Sequence, residues 1–135
     1  MNLQEKKVRG FAGIIEKVLA PLNENKKFKE NFSDINVKIL LNATNVNFAA
    51  LIIIKNGTIR VESLLNKPKE NLNKEKVGWD AFLQMDTQIF LAFAMKRLSM
   101  IGMIKKILER KIKLKGLRKL LILLKVFTIL SEENK

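Results

Sequence analysis

The dipeptide Asn56-Gly57 lies between two apolar runs of the sequence. Asn-Gly in this setting is the strongest short signal for a β-hairpin, because both central residues of a two-residue turn must adopt positive φ. The run over residues 46–54 therefore predicts a strand that turns back at Gly57 into a second strand. The chain must accordingly contain an antiparallel strand pair.

A two-residue turn also sets the register of the two strands, since side chains of a strand alternate between its faces. We expect apolar pairs on one face, which is the core face, and pairs of an apolar and a charged residue on the other. The core pairs are Ile54 with Ile59 and Ile52 with Val61, and the outer pairs are Ile53 with Arg60 and Leu51 with Glu62.

Three further segments have the two-residue period of a strand, namely residues 35–41, 79–85 and 111–115. In the last of them, lysines alternate with Ile112 and Leu114, as expected of an edge strand that resists pairing with another chain. Gly116 ends this strand. Residues 65–76 are polar, have little to bury and predict a surface loop.

Helical spacing of apolar residues appears early in the chain. Residues 3–20 predict an amphipathic helix, which Pro21 cannot continue. Phe28 and Phe32 are four residues apart and predict one helical turn that lies on the body of the domain.

Three more helices are expected in the second half of the chain. Residues 88–98 predict a helix that is apolar almost all round, which indicates that it is buried or lines something. Another begins at Met100, and the last covers residues 117–130 and is too apolar for an ordinary surface helix.

The order of these elements predicts an α+β fold with a five-stranded, mostly antiparallel (mixed) sheet covered by helices on one face. We expect one domain over residues 1–135. Within it, the N-terminal helix covers residues 3–20, the sheet and remaining helices cover residues 35–130, and a short acidic tail covers residues 131–135.

The composition removes most kinds of active site. The sequence contains no cysteine, histidine or tyrosine, so the thiolate nucleophile, the imidazole base and the usual zinc ligands are missing. We therefore expect a protein that is not an enzyme and uses no cofactor or metal. The absence of cysteine and of a signal-peptide pattern is typical of the cytoplasm, and the longest apolar run is shorter than the roughly 20 residues of a membrane span.

The charge is strongly positive, with 26 basic and 13 acidic residues and a net charge of +13. Such a field attracts anions, and the basic residues concentrate between Lys105 and Lys125. A basic surface for an anionic partner and a merely solvated surface both remain open. A single tryptophan and no tyrosine provide few rings for base stacking, which disfavours a nucleic-acid partner.

Three segments resemble the sterol carrier protein 2 family of lipid-binding domains. They are residues 48–62 (FAALIIIKNGTIRVE), 80–86 (DAFLQMD) and 111–116 (KIKLKG). The sequence departs from the family at Arg110, where glycine is usual, at Leu117, where aspartate is common, and in the missing proline between the two middle helices. The resemblance implies an apolar tunnel between sheet and helices that takes sterols, fatty acids or fatty acyl-CoA, without covalent chemistry.

Given this resemblance, we expect the tunnel to be lined by apolar side chains of the helices, with flexible methionine thioethers that adapt to varied ligands. These residues are Phe90, Phe93, Ala94, Met95, Met103, Ile104, Leu108, Leu121, Leu124 and Phe127. Ordinary core packing is the plainer interpretation of each one taken singly.

Four basic residues are expected near the tunnel entrance, where they would receive a carboxylate or the phosphates of a CoA headgroup. They are Arg110, Lys111, Arg118 and Lys119. Each of them taken singly is otherwise a solvated surface residue.

The preferred hypothesis is a non-catalytic binding or carrier protein for an apolar ligand such as a lipid, a fatty acid or a fatty acyl-CoA, with peripheral contact to an anionic membrane. One alternative is a basic nucleic-acid-binding protein. Another is an interaction module that docks through its apolar C-terminal helix. A homodimer through such an exposed helix is also left open.

Overall fold

The computed structural model describes residues 10–94, 102, 105–106, 109–110 and 112–133, with the side chains of 93–94, 117 and 131–133 excepted. In chain order the elements are α1 (Gly10–Leu19), a 3-10 helix (Ala20–Glu24), α2 (Lys26–Asn31), β1 (Asn36–Ala43), β2 (Phe48–Lys55), β3 (Thr58–Leu65), a second 3-10 helix (Lys69–Leu72), α3 (Lys74–Val77), β4 (Ala81–Met85), α4 (Thr87–Ala94), β5 (Lys113–Lys115) and α5 (Leu117–Glu133).

The five strands form one mixed sheet in the order β3-β2-β1-β4-β5. β1 pairs with β2 in antiparallel and with β4 in parallel orientation, and β4 pairs with β5 in antiparallel orientation. The α+β class and the mixed sheet are thus confirmed. β4 begins at Ala81 rather than at Trp79. β5 covers Lys113–Lys115 and does not include Ile112, while Lys111 lies outside the described residues.

The β2–β3 hairpin has the predicted turn. Asn56 and Gly57 have φ values of 51° and 80°, and positive φ at both positions is what the turn requires. The predicted register is confirmed in all four pairs: Ile54 with Ile59, Ile52 with Val61, Ile53 with Arg60, and Leu51 with Glu62.

One face of the sheet, which we call the helix-covered face, carries the main hydrophobic core. Every second strand residue points to it, including the fully buried Ile39 and Ile52. Helix α1 packs Phe11 and Ile15 onto this face, which confirms the predicted amphipathic helix for the residues described. Helix α5, which is the last helix of the polypeptide, packs Val126 into the same core.

The predicted helical turn around the two phenylalanines is α2. The N-cap residue of this helix is Asn25, whose side-chain Oδ1 accepts a hydrogen bond from the N–H of Phe28 at 2.7 Å. The rings of Phe28 and Phe32 stack with centroids 4.7 Å apart, and both are buried. Helix α2 also supports the hairpin, because the N–H of Gly57 donates to the carbonyl oxygen of Phe32 at 2.9 Å.

The opposite face, which we call the loop-covered face, corrects one prediction. The segment between β3 and β4 is not a surface loop with little to bury. It packs Leu72 and Trp79 over Leu51 and Ile53, which are buried although they pair with charged residues. Strand β2 is therefore covered on both faces, which explains why its apolar run does not alternate.

The edge strand β3 is bound by a side chain from the 3-10 helix that follows α1. Asn23 donates from Nδ2 to the carbonyl oxygen of Ile59 at 2.9 Å. Its Oδ1 accepts the N–H of the same residue at 2.8 Å. One asparagine thereby satisfies both backbone groups that Ile59 directs away from β2.

Candidate functional site

Helix α4 brings one predicted tunnel residue, Phe90, into the core beneath the helices. This side chain is 1% exposed. Its ring meets Phe11 of α1 edge-on, with centroids 5.4 Å apart and planes at 86°. On the other side it meets Phe127 of α5 at 6.0 Å and 66°. Three helices are thus joined by a row of aromatic rings, an arrangement worth about 0.5–1.5 kcal/mol per ring pair beyond simple burial.

Helix α5 is apolar over more of its circumference than it uses for packing. It buries Leu123 and Val126 against the sheet. Leu121, by contrast, is 49% exposed, while Leu124 and Phe127 are half-buried. The three predicted tunnel residues of α5, Leu121, Leu124 and Phe127, therefore lie between the side of the helix that packs on the sheet and the side that is exposed.

The remaining predicted tunnel residues are not placed. Phe93 and Ala94 belong to α4, but their side chains lie outside the described part of the structure. Four others lie outside the described residues altogether: Met95, Met103, Ile104 and Leu108. The tunnel and its full lining stay predictions.

The predicted headgroup residues that the structure describes are all exposed. Arg118 and Lys119 lie in the first turn of α5, and Arg110 lies in a turn with a φ of 63°. Lys111 lies outside the described residues. Arg110, Arg118 and Lys119 are thus accessible to an anion at the surface. Their grouping around one ligand stays a prediction.

Sequence reasoning missed a cleft of ≈ 870 Å³ on the loop-covered face. It lies between the segment over residues 66–79 and the strands β1, β4 and β5. The lining combines apolar, amide and lysine side chains, among them Leu72, Trp79, Phe82, Asn42, Gln84 and Lys113. The signal available in the sequence was the pair Asn42 and Gln84, which interrupt the otherwise apolar strands β1 and β4.

The amide groups of the cleft are connected by hydrogen bonds. Asn66 is 9% exposed, and its Nδ2 donates to Oδ1 of Asn42 and to the carbonyl oxygen of Val46, both at 2.9 Å. Asn42 in turn donates from Nδ2 to Oε1 of Gln84 at 2.8 Å. Because Oε1 of Gln84 is the acceptor, its Nε2 group ends this series of hydrogen bonds and has donors available for a ligand.

Two further observations concern the described part of the chain only. Its acidic side chains do not gather in any group of three or more that could hold a metal ion. Its helices also include none with the length and apolarity needed to cross a membrane.

The fold is similar to that of a solved structure that is named for an SCP2 domain. A "UbiJ-SCP2 Ubiquinone synthesis protein" matches with a TM-score of 0.63 and 8% identity, over 89% of this chain and 90% of that chain. The fold is therefore SCP2-like, as the resemblance implied. No family model and no curated protein matches the chain.

A second likeness is to part of a larger enzyme, the stereoselective inverting sec-alkylsulfatase Pisa1 from Pseudomonas sp. It has a TM-score of 0.53 and 14% identity, and covers 75% of this chain but 14% of the sulfatase chain. A double mutant of this sulfatase has a TM-score of 0.55 and 11% identity, over 77% and 14% of the two chains. The chain thus spans a small part of the sulfatase's length.

Proposed function

We propose that this SCP2-like domain is a non-catalytic binding or carrier protein for an apolar ligand, such as a lipid, a fatty acid or a fatty acyl-CoA. The likeness to the UbiJ-SCP2 protein supports this, because it extends over 89% of this chain. That protein is named for ubiquinone synthesis, and ubiquinone is itself a lipid. The chemistry of the sulfatase is not part of the proposal, since this chain spans 14% of its length.

The open side of α5 is the observation that carries the proposal. A single exposed leucine is ordinary on a protein surface. Leu121 and Leu124, however, are one helical turn apart and adjoin Phe127, whose ring meets the buried Phe90. A hydrocarbon chain lying along this strip would complete the packing of α5, and each methylene buried there would contribute about 0.8 kcal/mol.

The basic residues at the start of α5 are proposed to receive the acidic end of the ligand or the surface of an anionic membrane. Arg118 and Lys119 lie on the same helix as the apolar strip and are exposed. Exposed ion pairs contribute only about 0.2–1 kcal/mol each and weaken with salt. The apolar contact, rather than the charge, is therefore expected to dominate affinity. We propose a cytoplasmic location for the protein, and the proposed function requires no cofactor.

The first test is the dependence of affinity on chain length. In titrations with fatty acids of eight to eighteen carbons, a range chosen roughly to span the apolar transfer term, affinity should rise about fourfold per methylene until the site is full. Mass spectrometry of small molecules extracted from protein purified without detergent would identify a bound lipid directly. An affinity that stays flat across the series would overturn the proposal, because attraction of anions alone does not depend on length.

A pair of variants on α5 locates the site. Leu124→Glu places a charge on the half-buried strip and should remove the length-dependent part of binding. Thr128→Glu introduces the same group at an exposed position one turn further along the helix and should leave that part in place. Equal losses in the two variants would show that charge on the helix, not the apolar strip, controls binding.

A further inference from the structure

The cleft on the loop-covered face has an apolar half. Trp79 and Phe82 are buried for nine-tenths of their surface or more, and their ring centroids are 5.5 Å apart. The indole N–H of Trp79 donates to the carbonyl oxygen of Leu72 at 2.9 Å. Its hydrogen-bonding capacity is therefore used within the protein. The ring offers the cleft an apolar surface, beside the Lys74 ammonium, which lies over the ring at 5.5 Å from its centroid.

The other half of the cleft is rich in hydrogen-bond donors. The bond from Asn42 to Oε1 of Gln84 orients the Gln84 amide so that Nε2 is its remaining group. Gln84 pairs with Lys113 across the β4–β5 ladder, and Phe82 pairs with Lys115. Directly paired residues of adjacent strands share a face, so both lysines lie beside the cleft residues of β4. The three side chains together present donors and two positive charges.

The spacing of the two halves is set by strand geometry. Phe82 and Gln84 are two residues apart on β4, which corresponds to about 7 Å along the strand. The lining of the cleft also includes the acidic residues Glu70, Glu75 and Asp80, but its five lysines outnumber them, so the net charge of the lining is positive. Oδ2 of Asp80 accepts the backbone N–H of Lys38 at 2.9 Å. A ligand that fits both halves has a ring or short chain at one end and an anionic group about 7 Å away.

We propose that this cleft is a second binding site, which takes a small amphiphilic carboxylate. Its apolar part lies on Trp79 and Phe82, and its carboxylate accepts hydrogen bonds from Gln84 and the two lysines of β5. The site lies on the face of the sheet opposite the one that α4 and α5 cover. It is therefore independent of the proposed carrier function and would exist without it.

The chain's single tryptophan is a specific reporter for this site, because Trp79 lies in the cleft. Phenylbutyrate combines a ring and a carboxylate at the required separation, and phenylbutyramide is its neutral counterpart. We expect phenylbutyrate to change the fluorescence of Trp79 in a saturable manner, with an affinity at least about fivefold above that of the amide. No saturable change, or equal binding of the two compounds, would overturn the proposal.

Two variants test the assigned donors. Gln84→Glu keeps an oxygen that can accept from Asn42 and replaces only the donor end by a second oxygen, so it should weaken phenylbutyrate binding by more than about tenfold. Lys113→Gln combined with Lys115→Gln should weaken it about fivefold. Circular dichroism and thermal melting would establish that both proteins are folded.

The matched control for charge is Lys26→Gln combined with Lys29→Gln, which removes the same two charges from exposed positions on α2. It should leave phenylbutyrate binding within about twofold of the parent, since it retains every cleft residue. A loss equal to that of the β5 pair would overturn the site in favour of general attraction. The fatty-acid series separates the two proposals, because Gln84→Glu should leave its length dependence unchanged.

Discussion

The two faces of the sheet are made by the same strands but are covered by different kinds of structure. Helices α1, α2 and α5 cover one face, and their side chains interdigitate with Ile39 and Ile52. An irregular segment with two short helical turns covers the other and buries a smaller cluster around Leu51 and Trp79. A regular helix presents a continuous apolar side, whereas an irregular segment contributes isolated apolar residues between polar ones.

This difference explains where each kind of site can arise. On the helix-covered face the strands contribute apolar side chains with the exception of Ser63, which pairs with Ala50, and a ligand there must be largely apolar as well. On the loop-covered face, β1 and β4 carry Asn42 and Gln84 beside Leu40 and Phe82. Polar groups are tolerated there because the covering segment leaves the cleft open to water at its rim.

The largest expected effect tests the helix-covered face. Ile52 is 0% exposed, and Ile52→Ala should lower the free energy of unfolding by about 3.5 kcal/mol, because the surrounding helices cannot collapse into the cavity. Urea denaturation measures the loss. The exposed Arg60→Ala on the neighbouring strand should change it by less than about 0.5 kcal/mol. A loss below about 1 kcal/mol for Ile52→Ala would contradict the assignment of this face as the main core.

An intermediate effect is expected where the hairpin rests on α2. A Cβ atom at Gly57 would lie 2.9 Å from the carbonyl oxygen of Lys29, and φ there is +80°. Gly57→Val should therefore cost about 2.5 kcal/mol, from the strain of a β-branched residue at positive φ and from the contact with backbone. Thermal melting at equal protein concentration measures the shift.

Gly78→Val is the matched control for that prediction. Gly78 has a similar φ of +79°, but a Cβ there would meet only the end of the Lys38 side chain at 4.0 Å. This variant carries the φ strain without the backbone contact and should cost about 1 kcal/mol less. Equal destabilisation would show that α2 moves away freely and does not hold the turn.

Apart from the control variants, the smallest effect is expected on the loop-covered face. Leu51 is adjacent to Ile52 in sequence and 4% exposed, yet Leu51→Ala should cost only about 2 kcal/mol, because the covering segment can relax into the space. Limited proteolysis within residues 66–79 should become faster in this variant and not in Ile52→Ala. Losses of the same size for the two neighbours would show that the loop packs as rigidly as the helices do.

The hairpin was predictable from the sequence because its geometry is decided locally. Asn56 and Gly57 permit the tight turn, and the turn determines every pair of the ladder. The cover over Leu51 was not predictable in this way. Its packing partners Leu72 and Trp79 are distant in sequence. Leu72 belongs to the stretch over residues 65–76, which, judged by average polarity, has little to bury. The unbroken apolar run of β2 was the available sign that both faces are covered.

The sites were less predictable than the fold for a related reason. Helix α5 is apolar on nearly every side, so its sequence has no period that separates the packed Val126 from the exposed Leu121. The cleft on the other face draws on four separate segments of the chain. Asn42 and Gln84 become one hydrogen-bonded unit only through the parallel pairing of β1 and β4, which no short-range pattern specifies.

The hydrogen bonds between Asn23 and Ile59 have a consequence for the behaviour of the protein at high concentration. An edge strand with free N–H and C=O groups is a template on which a strand from another molecule can add. On β3, an arriving strand would first have to displace a side chain that already occupies both groups of Ile59. At the other edge, β5 is three residues long and carries two exposed lysines. Growth of the sheet from one molecule to the next is thus opposed at both margins, by an occupied backbone at one and by brevity and charge at the other.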